Sequence, residues 1–291
     1  MDALLHQVLA GLATGGIYAS LALALVMIYQ ATHLVNFAQG EMAMFCTYIG
    51  WTLINAGLGY WPAFLLTVGF GFVLGVLIER VVIRPIAHSS VLSVVVVFIA
   101  LLVILNSVTG WIYSYTIKTF PSPFPANSFL GNRFMSPHEL GSIAITFVVL
   151  ILLYAFFRFT PLGLAMRAAA LYPEVSALLG VRTGLMLGLG WGLASAVGAV
   201  SGILVAPRIL LEPNMMQSVI IYAFAAAVLG GIDSPLGAVV GGLTLGVLLA
   251  LIGAYVPALA DLRLALSLLL IVVLLVVRPS GLFGHQHARR V

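Results

Sequence analysis

Residues 158–182, RFTPLGLAMRAAALYPEVSALLGVR, separate two long apolar runs and have a helical pattern of their own. Thr160 can cap a helix whose first position is Pro161, where the missing N–H is not needed. Pro173 interrupts this helix and starts a second, shorter one, which Gly180 is suited to end. A helix–break–helix segment with this much charge is excluded from lipid. It therefore lies against water or against a partner protein.

The composition outside this segment is that of a membrane protein. The 291 residues are 63% hydrophobic and only 7% charged, with a mean hydropathy of +1.20, whereas soluble domains carry about 25% charged residues. We expect no cleavable signal peptide, because the start of the chain lacks a basic region and its first apolar run is long enough to span. Cys46 is the only cysteine, so no internal disulfide can form. The sequence has no basic stripe with interleaved aromatic residues, the pattern that would indicate a nucleic-acid partner.

Nine apolar runs predict an all-α polytopic bundle of about eight or nine membrane helices. They cover residues 6–29, 38–56, 61–79, 90–113, 139–157, 185–206, 217–232, 236–256 and 262–278. The run at 217–232 is shorter than the roughly 20 residues that a crossing needs. It is either a short tilted crossing, which we prefer, or a half-helix that enters from one side. Arg84 and its neighbours lie in a predicted short loop, and prolines in 114–138 rule out a regular helix through most of that linker.

The basic residues predict the orientation. Eight of the twelve Lys and Arg residues lie in loop 80–89, in segment 158–182 and in the tail from Arg278, which includes Arg289 and Arg290. Nine crossings put these three places on one face, which should be the cytoplasm. The C-terminus is then cytoplasmic, and the N-terminus and linker 114–138 are external.

Polar residues cluster at the start of the second span. Asn36 can cap this helix while Gln39, three residues later, reaches back to it, an arrangement known as a capping box. Glu41 is an intramembrane carboxylate, which either acts in translocation or gating or simply stabilises the first turn of the helix. The same alternatives apply to His33. Asn106, in the fourth span, needs a partner inside the bundle, and a bond between helices is favoured over a substrate contact.

The remaining motifs favour a passage for a solute over an enzyme. Gly11 and Gly15, four residues apart, allow close helix packing. The sequence has no Gly-xxxx-Gly-Lys-Ser/Thr phosphate loop and no His-Glu-x-x-His pattern. The bundle thus lacks an energy source of its own, and its glycine-rich spans one, six and eight, with the start of span two, are expected to line the passage.

The sequence resembles the permease family of bacterial ABC importers for branched-chain amino acids, of the LivH type. Six motifs in family order carry the resemblance, which covers nearly the whole chain: Gly16-Ile17-Tyr18-Ala19; Asn36-Phe37-Ala38-Gln39-Gly40-Glu41; Thr160-Pro161-Leu162-Gly163 with Arg167-Ala168; Ala177-Leu178-Leu179-Gly180-Val181; Val228-Leu229-Gly230-Gly231-Ile232 with Gly237-Ala238; and Arg278-Pro279-Ser280-Gly281-Leu282-Phe283-Gly284.

The resemblance implies a set of partners and a location. The partners are a second, homologous permease subunit similar to LivM, two cytoplasmic ATPase subunits and a periplasmic or extracellular solute-binding protein. The location is the bacterial cytoplasmic (inner) membrane, and no cofactor or metal is implied. The implied solute is a branched-chain amino acid, with urea or short amides as alternatives within the family. An ATP-independent secondary transporter and a non-transporting scaffold are the rival classes.

The resemblance also implies site residues within one permease domain, 1–291. Segment 158–184 would be the coupling segment and 114–138 the external linker. ABC importers carry a Glu-Ala-Ala-xxx-Gly motif that docks on the ATPase; here Glu174 and Gly180 match it, and Val175 and Ser176 depart from it. The expected coupling residues are Arg167, Glu174, Ala177, Leu178, Leu179, Gly180 and Arg182. The expected path or gating residues are Gly16, Tyr18, Asn36, Phe37, Gln39 and Glu41.

Overall fold

Helices are the regular elements throughout the part of the chain that the computed structural model describes, residues 2–32, 35–87, 89–124, 136–278 and 280–284. The predictions on His33, on the middle of the linker, and on Arg289 and Arg290 lie outside the described residues. The fourteen segments are α1 (Asp2–Thr32), α2 (Gln39–Asn55), α3 (Tyr60–Ile78), a π-helical turn (Glu79–Ile83), α4 (Arg84–Ile86), α5 (Val91–Tyr113), α6 (Pro137–Phe159), α7 (Pro161–Leu171), α8 (Pro173–Leu178), α9 (Thr183–Ile209), α10 (Met216–Gly230), α11 (Pro235–Tyr255), α12 (Pro257–Ala260) and α13 (Arg263–Val277).

The all-α prediction is confirmed, and each predicted span coincides with a helix. Six helical stretches in the described ranges are long and apolar enough to cross a membrane: Ala3–Gln30, Tyr60–Ile86, Val91–Tyr113, Pro137–Phe159, Thr183–Ile209 and Pro235–Tyr255. Helix α10 has 15 residues and is about 22 Å long at 1.5 Å per residue, which is less than the roughly 30 Å of a bilayer core. Its crossing therefore stays a prediction.

The chain divides into two compact units. The first contains residues 1–26, 124–146 and 218–291, and the second contains residues 27–123 and 147–217. In the second unit, α9 packs along both α2 and α3. Glycines allow this approach, because a Cβ atom on Gly75 would lie 2.7 Å from the Cβ of Ser195 and one on Gly202 would lie 2.8 Å from the carbonyl oxygen of Ala43.

The first unit uses the same device between α1 and α11. A Cβ atom on Gly11 would lie 2.6 Å from the Cα of Val247, and one on Gly15 would lie 2.8 Å from the carbonyl oxygen of Gly242. The predicted close packing at these two glycines is thus confirmed. Neighbouring helices pack against these glycines of α1 and α9, and the lining of the passage by the glycine-rich spans stays a prediction.

Two predicted boundaries are wrong. The chain does not leave the third span into a loop at Glu79 and Arg84, but stays helical through a π turn. The reason is that Glu79, 3% exposed, pairs with the guanidinium five residues later, with Nη2 of Arg84 at 2.9 Å from Oε2 and Nε at 3.1 Å from Oε1. Helix α9 also continues past Pro207 to Ile209, since a proline in the last turn removes only one hydrogen bond.

Replacing a glycine between α3 and α9 should destabilise the second unit. Gly75→Val is expected to lower the free energy of unfolding by about 1–3 kcal/mol, because α9 leaves no room for a side chain there. SDS titration of the purified chain measures this. Gly69→Val is the control, because a Cβ atom on this α3 glycine meets nothing within 4 Å. Equal losses in the two variants would contradict the packing described.

Candidate functional site

The start of α2 is held by buried side-chain amides. Asn36 and Gln39 are both fully buried. The Ala38 N–H donates to Oδ1 of Asn36 at 3.0 Å, and Nδ2 of Asn36 donates to Oε1 of Gln39 at 3.3 Å. The capping-box prediction is wrong: α2 begins at Gln39, no side chain caps it, and Asn36 lies too early in the chain to act as its cap.

Gln39 instead links α2 to α9. Its Nε2 donates to the carbonyl oxygen of Ala194 at 2.9 Å. Gly198, one turn further along α9, makes room for this amide, because a Cβ atom there would lie 2.7 Å from Nε2 of Gln39. The contact joins residues 155 positions apart, so no local sequence pattern could have revealed it. The start of α2 and the middle of α9 are therefore connected by a directional bond as well as by packing.

Glu41 belongs to a polar cluster inside the second unit. Its carboxylate, in the first turn of α2, is 3% exposed and accepts from Nδ2 of Asn106 at 3.3 Å. The same nitrogen lies 3.0 Å from the carbonyl oxygen of Pro213 and 3.1 Å from Oδ1 of Asn214, while the Tyr115 hydroxyl donates to Oδ1 of Asn106 at 3.3 Å. The predicted bonding of Asn106 between segments is confirmed. A gating role for Glu41 stays a prediction.

The other expected path residues have different surroundings. Phe37 is 43% exposed. Gly16 and Tyr18 belong to the first unit, where a Cβ atom on Gly16 would lie 3.3 Å from Cγ2 of Thr146. The Tyr18 ring packs against Tyr222 at a centroid distance of 5.1 Å. The structure thus gathers Asn36, Gln39 and Glu41 in the second unit and sets Gly16 and Tyr18 in the first.

Segment 158–184 folds as its sequence predicts. The Gly163 N–H donates to Oγ1 of Thr160 at 3.0 Å, which confirms the cap of α7. Gly180 has φ +84°, and the two N–H groups after the end of α8 turn back onto it: Gly180 to Ala177 and Val181 to Ser176, both at 3.0 Å. This is a Schellman ending, and it confirms Gly180 as the stop of α8.

Helix α7 is partly buried against the rest of the protein, whereas α8 is almost wholly exposed. Three α7 residues are buried (Gly163, Met166 and Ala169), whereas Ser176 is the only buried residue of α8. Leu178 and Leu179 are 89% and 80% exposed, and the other expected coupling residues, Arg167, Glu174, Ala177, Gly180 and Arg182, are exposed as well. The result is an apolar tip with charges of both signs around it, which we call the α8 tip (Glu174–Arg182).

A backbone contact that the sequence did not predict joins two of the family motifs. The Leu282 N–H donates to the carbonyl oxygen of Leu229, and the Phe283 N–H to that of Gly230, both at 2.9 Å. The backbone after α13 therefore closes the end of α10. Gly231 (φ +110°) provides the left-handed conformation that this turn needs. The glycines in both motifs were a signal, but the sequence alone gave no reason to pair them.

The helical bundle and its exposed α8 tip are features of a membrane permease subunit. A family model described as "Branched-chain amino acid transport system / permease component" matches residues 7–277. The chain belongs to this family, and it is the permease component of an ABC import system. The resemblance inferred from the six motifs is confirmed.

Relatives of known name match along almost the whole chain. The high-affinity branched-chain amino acid permease protein LivH of Escherichia coli is 29% identical, covering 99% of this chain and 97% of the relative. The high-affinity branched-chain amino acid permease protein BraD of Pseudomonas aeruginosa is 30% identical, covering 99% of this chain and 98% of the relative. The structure of PsaBC from Streptococcus pneumoniae in complex with Fab aligns with a TM-score of 0.52 over 93% of this chain and 91% of that one. At 12% identity, this last match concerns the fold alone.

The Glu41–Asn106 pair should be energetically coupled. Asn106→Leu is expected to lower the free energy of unfolding by about 1–3 kcal/mol, because the buried carboxylate loses its donor. Adding Glu41→Met should recover much of that loss, since both members of the pair are then apolar. A double-mutant cycle measured by SDS unfolding tests this. If the two single effects simply add, the pair is not coupled.

Proposed function

We propose that this chain forms, with a second homologous permease subunit, the passage for a branched-chain amino acid across the bacterial cytoplasmic membrane. The named relatives that match along its length belong to branched-chain amino acid transport systems. ATP is hydrolysed on two cytoplasmic ATPase subunits, an external binding protein delivers the solute, and this chain itself catalyses no reaction. In this proposal residues 1–291 act as one permease domain.

The exposed α8 tip is the observation that carries this proposal. A leucine side chain gains about 1.5–3 kcal/mol when it is fully buried, and two of them stand almost fully exposed side by side at Leu178 and Leu179. Arg167, Glu174 and Arg182 would form a charged rim that orients a partner, as rim charges do in protein interfaces. A groove on a cytoplasmic ATPase is the partner that the family assigns to this position.

The connections of the α7–α8 segment give it a route to move the bundle. Gly163 folds α7 against the end of α6, since a Cβ atom there would lie 2.7 Å from the Cα of Phe157. At the other end, Arg84 donates to the carbonyl oxygen of Gly184 in the first turn of α9. Gln39 then joins α9 to the start of α2. A displacement of the α8 tip would therefore move α6, α9 and α2.

The mechanism in this proposal is alternating access, and these connections support it. ATP binding draws the ATPase subunits together, and their motion shifts the α7–α8 segment. The shift repositions α9 and, through Gln39, the start of α2 with Asn36, Phe37 and Glu41, where the passage would be gated. Gly16 and Tyr18 of α1 stay further candidates for lining the passage. A ligand favours one state only by binding it more tightly than the other.

Changing the α8 tip should separate this chain from its ATPase. Glu174→Lys combined with Leu178→Asp is expected to reduce co-purification of the ATPase subunits and ATP-driven uptake at least about tenfold, because a charge replaces an apolar anchor at the interface. Ile117→Asp is the matched control: Ile117 is also exposed, at 63%, but lies in the predicted external linker. Unchanged association in the double variant would rule out coupling through α8.

The predicted orientation can be tested with single cysteines. Cys46, the natural cysteine, is fully buried and should not react. In intact cells, a membrane-impermeant thiol reagent should label Ile117→Cys from outside and should label Leu179→Cys only after the membrane is opened. Labelling of Leu179→Cys in intact cells would place the α8 tip outside and contradict the proposal.

A further inference from the structure

A cavity of about 260 Å³ lies within the first unit. The N-terminal half of α1, α10, α11 and the connection from α12 to α13 surround it. Its lining includes polar side chains, from Thr14, Tyr222, Asp261 and Arg263, and apolar ones, from Leu249 and Leu264. Of the path residues expected from the family motifs, Tyr18 lines this cavity and the others do not. The coupling segment does not contribute to it.

The polar lining carries one charge of each sign. Arg263 is exposed, and its Nε donates to the carbonyl oxygen of Ala260 at 2.8 Å. Within the described ranges its terminal nitrogens form no ion pair, with Asp261 or any other carboxylate. A guanidinium whose terminal N–H groups form no ion pair can bind a carboxylate through two parallel hydrogen bonds. The guanidinium also interacts electrostatically with Tyr222.

Asp261 supplies the complementary charge two residues earlier. It is exposed, lines the cavity and likewise forms no ion pair with a described residue. A cationic and an anionic side chain that face one small space without pairing can hold the two ends of a zwitterion. A free carboxylic acid or a free amine would satisfy only one of them.

The apolar lining and the volume limit the rest of the ligand. Leu249 is 5% exposed and lines the cavity together with Ala250 and Leu264. The rings of Tyr18 and Tyr222, which are tilted against each other with centroids 5.1 Å apart, also line it. A cavity of about 260 Å³ has room for a small ligand such as an α-amino acid with a short branched aliphatic side chain.

We propose that this cavity binds a zwitterionic α-amino acid with a small apolar side chain: Arg263 holds the carboxylate, Asp261 the ammonium group, and Leu249 and Leu264 contact the side chain. The inference rests on the proposed function and deepens it by naming the site. In the predicted orientation the α12–α13 connection is external, so the cavity is a receiving site for solute that arrives from outside.

Ligand protection of an introduced cysteine tests the site directly. In the assembled importer in lipid nanodiscs, L-leucine should slow the reaction of Ala260→Cys with a small methanethiosulfonate several-fold. L-leucinamide, which lacks the carboxylate, and 4-methylpentanoate, which lacks the ammonium group, should protect far less. Ala258→Cys is the control, because Ala258 is exposed on the same short helix and does not line the cavity.

Charge variants test the assigned roles. In the Ala260→Cys background, Arg263→Gln should raise the L-leucine concentration needed for protection at least about tenfold. It should also reduce the preference for L-leucine over L-leucinamide, a change that a merely structural effect would not produce. Asp261→Asn should reduce the preference for L-leucine over 4-methylpentanoate. Co-purification of the partner subunits verifies that each variant is folded.

The outcomes separate this inference from the proposed function. If the wild-type importer takes up L-leucine with ATP, two results would show that the site is wrong while the function stands. One is that L-leucine protects Ala260→Cys no more than Ala258→Cys, and the other is that Arg263→Gln leaves the protection of Ala260→Cys unchanged. If the wild-type importer does not take up L-leucine, both fail. Protection that depends on phosphatidylethanolamine in the nanodisc, and not on L-leucine, would assign the cavity to a zwitterionic lipid headgroup and overturn the inference.

Discussion

Close contact between helix backbones at glycine positions is the constraint on which the rest of the structure depends. A bilayer core offers no water to pair with backbone groups, so the chain must be helical there, and lipid gives helices little hydrophobic reason to associate. Gly75 and Gly202 bring α9 against α3 and α2, and Gly11 and Gly15 bring α1 against α11. Glycine contacts provide the packing, and a few polar side chains add hydrogen bonds and an ion pair between segments. Gln39 bonds to α9, Asn106 to Glu41, and Arg84 to both Glu79 and α9.

The α7–α8 segment is joined to the bundle by such contacts, and its α8 tip is exposed. The α7 helix is anchored by its buried residues, while α8 ends in a Schellman turn that leaves Leu178 and Leu179 almost fully exposed. A segment that receives force from a partner must be held firmly at both ends, and it must offer an apolar surface that the partner can bury. The α7–α8 segment has both features. In the proposed function, the energy for transport enters through this contact.

Local features were predictable from the sequence, and distant contacts were not. Apolar run lengths gave the helices, and Thr160 and Gly180 behaved as their types predict, because caps and stops depend on neighbours in the chain. The capping box at Asn36 was wrong because α2 begins only at Gln39, and the bond from Gln39 to a carbonyl group 155 residues away could not be predicted from the sequence. The loop at Glu79 was wrong because an ion pair between the buried Glu79 and the exposed Arg84 keeps the chain helical. The cavity beside Arg263 depends on four segments of the first unit meeting, which one sequence without relatives does not reveal.

The central claim is that this helical body moves solute only when a nucleotide-driven partner acts on it. Reconstitution into liposomes measures this most directly, with L-leucine uptake followed for the chain with its permease partner alone and for the complete importer with ATP and binding protein. The account predicts uptake only in the complete importer, abolished when ATP is replaced by a non-hydrolysable analogue. Uptake at the full rate without the ATPase subunits would contradict it.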